Sequence, residues 1–351
     1  MKLRLGIVGA GDAWEARYLP VLRVLSDRFQ VRAMYEPVAE RAKLSADEIG
    51  AEAQVGFRAM CRRPDIDAVL ILSNSWLGHI PILAACEYGK AVYLGSRVHL
   101  SLCQFEEVRQ AVSAAGVAFM AELPHRYAPA TLRLKELLTT TLGELRLIFS
   151  HRRLSRFLKR NGSPVPPPQP IVKFDLVELV DWCRFMVGRP PSSVRSVMHV
   201  TDDDPTGADY MMMSLDFSPH NQKGKGPIAQ ISCGRYIPEA WAEAIAYRPP
   251  PDMQIACREG IAFIDLPTGL VWFDQAGRHQ ERLEHERPVD ERMLLQFHRA
   301  VTSLVQRIDD LETMHQVLKT VQQAVDSHQN GCPGKAEEAP VDSPRGPDNP
   351  L

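Results

Sequence analysis

LRLGIVGAGDAW, residues 3–14, runs from a short apolar strand into Gly9-Ala10-Gly11 and on into a helical stretch. Glycines at such a turn let the backbone bend tightly and approach a pyrophosphate, which the N-terminus of the following helix then receives. A second strand, VRAMYEP, ends at Glu36, the twenty-odd residues further on that a ribose-binding carboxylate requires. A carboxylate there accepts hydrogen bonds from the adenosine ribose hydroxyls and repels a 2′-phosphate, so NAD(H) is expected rather than NADP. Gly9, Ala10, Gly11, Asp12, Ala13 and Glu36 are the cofactor-binding candidates of this segment. Trp14 stands where the pattern wants a small residue. Either the helix opens with an altered turn that points the indole away, or the indole partly fills the cofactor groove.

Outward from this turn, β-rich runs alternate with amphipathic stretches. Strands are expected at 3–8, 31–35, 68–72, 91–94 and 117–121, and helices at 13–26, 38–49, 79–88 and 102–115. That alternation predicts a parallel sheet covered by helices. Beyond a helix at 129–138 the pattern changes to strands in series: LGELRLIFSHRR, 194–200, 210–217, 228–236, 253–257, 261–266 and 270–273, interrupted by an apolar helix at 172–186. Strands with little helix between them imply an antiparallel sheet. The expected fold is therefore α/β: an NAD(P)-binding Rossmann domain over 1–122, then an α+β domain with an open, mainly antiparallel sheet over 123–330 for substrate and oligomer contacts. Residues 290–328 return to helical periodicity, and 331–351, rich in Pro, Gly, Glu and Asp, read as a disordered tail.

Composition narrows the partners. Of 351 residues 45% are apolar and 24% charged, with a net charge of -2 and dispersed Lys and Arg. Nothing here resembles a nucleic-acid or anionic-membrane footprint. The basic run HRRLSRFLKR, residues 151–160, reads as a solvated loop or strand edge. Seven widely spaced cysteines, with none at zinc-site spacing, argue against a disulfide framework or a metal, and for the cytoplasm. The N-terminal apolar run is too short for a signal peptide or a membrane span.

With GIVGAG, DIDAVLILSNS, ACEYGKAVYLGS, HRYAPATLRLKELL…LGELR, ELVDWCRFMVG and QFHRAVTSL in order, the chain resembles the Gfo/Idh/MocA family over residues 3–329. The resemblance implies a Rossmann domain joined to an open-sheet domain. It also implies NAD(P)-dependent chemistry on sugars, polyols and related small molecules, in dimers or tetramers built on the second sheet. The family carries Glu-Lys-Pro after the fifth strand, where the lysine polarises or protonates the reacting oxygen. Those places hold Gly95, Ser96 and Arg97. Ser96 cannot act as a cationic acid, whereas Arg97 could stabilise an oxyanion and His99 could titrate near neutrality. Ser73-Asn74 occupies the family's nicotinamide-side Thr-Pro, and Ser96 adjoins the same site. The family's next histidine place falls on Gly78, beside His79.

The family's Asp-x-Gly-x-His-x-x-Asp helix admits two registers. Anchoring on Asp181 and Gly188 puts Glu178 at the histidine place, and anchoring on Asp175 puts Leu179 there; the first keeps the family's length and apolar pattern. Glu178 and Asp181 are then i,i+3 neighbours, with Glu178 as general base or acid. The structural alternative pairs Glu178 with an arginine such as Arg126 or Arg184. Catalytic candidates are thus Glu178, Asp181, Arg97 and His99. Two alternatives to an oxidoreductase stay open: a non-catalytic sensor of a dinucleotide or sugar-like ligand, and a partner-binding scaffold.

Overall fold

The computed structural model describes residues 1–73, 77–95, 100–156, 172–200, 208–219, 222, 224–303 and 310–329. The first sheet contains β1 (Leu3–Val8), β2 (Phe29–Tyr35), β3 (Glu52–Ala53), β4 (Ala68–Ile71), β5 (Ala91–Leu94) and β6 (Phe119–Ala121). All pair in parallel, in the order β3-β2-β1-β4-β5-β6. β4 and β5 are buried at every residue, because helices cover both faces of the sheet. The covering helices are α1 (Leu19–Val24), α2 (Ala39–Ile49), α3 (Phe57–Arg62), α4 (Ile80–Glu87) and α5 (Leu102–Ala115). Strand order reverses between β1 and β4, so the ligand crevice of this topology opens beyond the ends of those two strands.

After α6 (Pro129–Thr140) the chain builds an eight-stranded sheet. Its members are β7 (Leu145–Arg156), β8 (Ser193–Val200), β9 (Ala208–Asp216), β10 (Ile228–Pro238), β11 (Met253–Cys257), β12 (Ile261–Asp265), β13 (Gly269–Asp274) and β14 (Gly277–Arg282). The order is β14-β13-β12-β11-β7-β10-β9-β8, antiparallel except for the central β7–β10 pair, which is parallel. Helix α7 (Val172–Val187) covers the inner face of β7, β9 and β10. The outer face leaves Leu147, Ile228, Ile261 and Phe273 exposed.

Two helices from the end of the chain tie the sheets together. Helix α8 (Val289–Thr302) buries Met293, Leu294 and Phe297 in one cluster with Trp14, Leu72 and Tyr93 of the first sheet's surroundings. Helix α9 (Asp310–Gln329) packs on α5 and β6 at one side and on α7 and β8 at the other. The basic run beginning at His151 departs from its expected place. Its first six residues belong to β7 in the middle of the second sheet, where strand alternation turns Arg152 inward toward α7. The rest of that run, the proline-rich stretch 164–170 and the tail 331–351 lie outside the described residues.

Candidate functional site

At the end of β1 the backbone of Gly9 adopts a φ of +96°, and its N–H donates to Tyr35 O at 2.9 Å. A Cβ on Gly9 would lie 2.6 Å from Ser73 Cβ, so the β1 and β4 loops touch at the strand-order reversal and only glycine fits. A Cβ on Gly11 would meet nothing within 4 Å, leaving open space above the turn. Glu36 Oε2 accepts the Ala10 N–H at 2.9 Å, which holds the carboxylate over the turn. Arg41 Nη1 stands 3.5 Å from the other carboxylate oxygen. Asp12 is exposed and Ala13 half-buried at the helix entry. This turn fits a dinucleotide: a narrow glycine corner, open space for phosphates and an acceptor for ribose hydroxyls.

Trp14 begins a π-helical turn, Trp14–Tyr18, that runs into α1. The extra residue in that turn rotates the indole into the core, where it is 1% exposed among Ala10, Leu72, Tyr93 and Phe297. Of the two orientations open from the sequence, the structure has the indole pointing away from the groove.

The same turn delivers Arg17 and Tyr18 to the end of β6. Glu122, 4% exposed, accepts from the Arg17 guanidinium and from Tyr18 Oη at 2.6 Å. Arg17 also reaches Asp290 at the start of α8, at 2.5 Å. Burial, with Glu122 beside it, pushes the Tyr18 phenol well above its ordinary range. A Cβ on Gly95 would lie 3.5 Å from Glu122 Oε2, so the carboxylate that follows β6 stands beside the end of β5.

A second polar network joins α7 to the inner face of β7 and β10. Glu178 Oε2 accepts from Arg152 Nη1 at 2.9 Å, and the other terminal nitrogen of Arg152 lies 2.6 Å from His125 Nε2. Arg235 holds Asp175 at 3.1 Å, and Arg152 approaches the same carboxylate at 4.0 Å. Asp181, 1% exposed, takes two hydrogen bonds from Arg126, one of them at 2.6 Å. Arg126 also faces Asp310, whose Oδ2 accepts the Ala121 N–H at the end of β6. Burial pushes both Asp175 and Asp181 up, against the pull of their arginines. The partner of Glu178 is therefore Arg152 rather than Arg126 or Arg184, while Arg126 binds its helix neighbour Asp181.

The glycine turn, Glu36 and Ser73 come together at the crevice, and Glu178 and Asp181 come together on α7. Asn74, Ser96, Arg97 and His99 lie outside the described residues. His79 caps α4 and contacts Glu107 at 2.8 Å. Glu122, His125 and Arg152 were not singled out from sequence, nor were their neighbours Arg17, Tyr18, Arg235, Asp290 and Asp310. Their roles depend on partners distant in sequence, Tyr18 for Glu122 and Glu178 for Arg152, so residue type alone does not mark them. Among the described residues no group of three or more His, Cys, Asp or Glu is arranged to hold a metal, and no helix is long and apolar enough to cross a membrane.

Residues 3–123 match the family model GFO_IDH_MocA, an oxidoreductase family with an NAD-binding Rossmann fold. An uncharacterized oxidoreductase from Streptococcus pneumoniae is 22% identical over 233 residues, which is 62% of this chain and 60% of that relative. The chain thus spans less than two thirds of the length of this curated relative. Aldose-aldose oxidoreductase from Caulobacter crescentus superposes with a TM-score of 0.79 at 15% identity, over 94% of this chain and 98% of the other. UDP-N-acetylglucosamine 3-dehydrogenase from Acidithiobacillus ferrooxidans gives 0.74 at 17% identity, with the same two coverages. These likenesses extend the shared fold through the second sheet.

Proposed function

We propose that this chain, whose N-terminal domain belongs to the Gfo/Idh/MocA oxidoreductase family, binds NAD(H) and oxidises or reduces a sugar, polyol or related small molecule with acid–base groups of its own. One observation carries the reading: the Glu36 carboxylate is already held at 2.9 Å on the Ala10 amide, over a glycine corner that stays open above Gly11. An acceptor poised at the ribose favours NAD(H) over its 2′-phosphorylated form. When bound, the nicotinamide supplies a hydride acceptor or donor at C4.

The chain's own part is orientation and proton handling. Gly9, Ala10, Gly11, Asp12 and Ala13 hold the pyrophosphate, Glu36 the ribose, and Ser73, Asn74 and Ser96 the nicotinamide side. As the substrate carbon gives up its hydride, Glu178 takes the hydroxyl proton; in reduction the proton returns from Glu178 to the oxygen. Arg152 holds that carboxylate in place. Asp181 anchors Arg126 on the next turn of the helix, and Arg97 and His99, which follow the family's lysine place in the sequence, are further partners for the substrate oxygen. The sugar and nucleotide-sugar oxidoreductases of the same fold support a polyhydroxylated substrate.

We also read the chain as a homodimer or tetramer through the outer face of the second sheet, a reading supported by the apolar Leu147, Ile228, Ile261 and Phe273 exposed there. Among the described residues six cysteines are free, five of them buried, which supports a cytoplasmic location.

The test is a turnover screen with NAD and NADH against sugars, polyols, amino sugars and nucleotide sugars, followed by nicotinamide absorbance. At least one compound should turn over, and Glu178→Gln should slow it about 100-fold or more. Cofactor binding without turnover of any compound would favour a ligand sensor instead.

A further inference from the structure

His125 sits in a 3₁₀ turn, Pro124–Tyr127, directly after β6. Its ring is held on two sides. Arg152 Nη2 lies 2.6 Å from Nε2, and Trp182 meets the ring edge-on with centroids 4.9 Å apart. Trp182 is itself fixed by its indole N–H to Thr131 Oγ1 at 3.0 Å. A guanidinium can only donate, so Nε2 is the acceptor, and the single proton of a neutral imidazole then belongs to Nδ1. Glu178 secures that arrangement by taking another N–H of Arg152 at 2.9 Å. Its Oε2 lies 3.7 Å from Nε2, beyond hydrogen-bond reach of the ring. Among the described residues, Arg152 and Glu178 are the charged groups facing the imidazole; Arg126 and Asp181 pair with each other.

Two further facts make the ring more than a filler. Nδ1 has no hydrogen-bond partner among the described residues, although the side chain is only 11% exposed. Protonation would bring a second positive charge against Arg152 and displace its donor. Burial, with that neighbouring charge, accordingly pushes the imidazole down to about 3. The ring therefore stays neutral through the working range, with one fixed N–H on offer.

We propose that His125 Nδ1–H is the hydrogen-bond donor to the substrate oxygen at the reacting carbon, an assignment that rests on the oxidoreductase reading above. Charge gathers on that oxygen both when its proton leaves ahead of the hydride and when hydride arrives at a carbonyl. A fixed neutral donor stabilises this charge most in the transition state and needs no reorganisation. His125 transfers no proton in this scheme; Glu178 does. The two duties of one lysine, polarising the oxygen and moving a proton, are thereby divided between two groups bridged by Arg152.

The test has a spectroscopic and a kinetic readout. In full-length protein carrying ¹⁵N-histidine, the His125 signals are identified by their loss in His125→Asn. Nδ1 should carry the proton, and the ring should not titrate between about pH 5 and about pH 8. Arg152→Gln removes the neighbouring charge but not the burial, so the ring's titration should move upward while staying below the ordinary histidine value. On any compound that turns over, His125→Phe should lower kcat about 100-fold or more with KM for NADH unchanged. Asn keeps a donor at the Nδ1 place and Gln at the Nε2 place, so His125→Asn should exceed His125→Gln in kcat by about tenfold, even if the Phe variant folds poorly. A ring that titrates near neutrality, a proton on Nε2, or equal rates for the Asn and Gln variants would overturn the assignment. Turnover of no compound defeats the oxidoreductase reading and this role together; turnover indifferent to His125 defeats the role alone.

Discussion

A Cβ on residue 95 would lie 3.1 Å from Ile71 O and 3.5 Å from Glu122 Oε2, so two neighbouring strand ends compete for one buried space. The carboxylate present comes from β6, and it is matched by Arg17 and Tyr18 from the π-helical turn. Glu122→Ala removes the acceptor from both; because Arg17 keeps Asp290, the loss should fall below the usual range for a broken buried pair, at about 2 to 3 kcal/mol. Gly95→Glu should also destabilise the wild type, yet cost less in the Glu122→Ala background. A urea-denaturation cycle should give a coupling of about 1 kcal/mol or more, and additive losses would show that the two sites do not share space. At the other end of the crevice, Glu36 keeps Arg41 occupied at 3.5 Å. Glu36→Ser frees that guanidinium for a 2′-phosphate, so the NADPH-to-NADH affinity ratio should rise about tenfold, or ~1.4 kcal/mol. Site residues close to the glycine turn were readable because they act through backbone geometry and a fixed sequence offset. Glu122, His125 and Arg152 were not, because their roles come from partners that only the folded chain brings near, such as Arg152 against Glu178.

At the level of elements, the apolar strands β1, β4 and β5 were legible from residue type alone, since burial on both faces leaves a continuous hydrophobic run. The strands that escaped carry no such run. β3 is two exposed residues, and β14, GRHQER, is polar along its length and exists through its pairing with β13. The parallel pairing of β7 with β10 was equally hidden, because strand direction leaves no mark on alternation. The π-helical turn at Trp14–Tyr18 is the element with most consequence for function. It resolves how a large residue stands where a small one belongs, by turning the indole into the core. Trp14→Ala should therefore cost about 3 to 5 kcal/mol in thermal or urea unfolding and should not improve NADH affinity. A variant that bound NADH more tightly would mean that the indole obstructs the groove after all.

Across the whole molecule, the end of the chain completes the beginning: α8 fills the core beside Trp14 and Tyr93, and Asp290 at its start binds Arg17. This closure was illegible in sequence, since amphipathic periodicity at 290–328 does not say which sheet it will cover. Stability of the assembled molecule should carry the mark of His125. Its folded value, about 3, lies below the ordinary 6.5, so the unfolded chain binds the extra proton in between. The contribution is complete above pH ~6.5 and is lost as pH falls toward 3, with a slope of up to about 1.4 kcal/mol per pH unit. His151, also lowered by burial, acts in the same direction. Melting curves of His125→Asn should lose part of this acid slope, and an unchanged slope would place its origin elsewhere. The cofactor itself remains the central matter. Titration of the purified protein with NADH, read by energy transfer from tryptophan to the nicotinamide, tests it most directly. The expected result is saturable binding that is tighter for NADH than for NADPH and is abolished when Gly11→Asp puts a carboxylate into the phosphate space. No binding at millimolar NADH, or binding indifferent to Gly11→Asp, would contradict it.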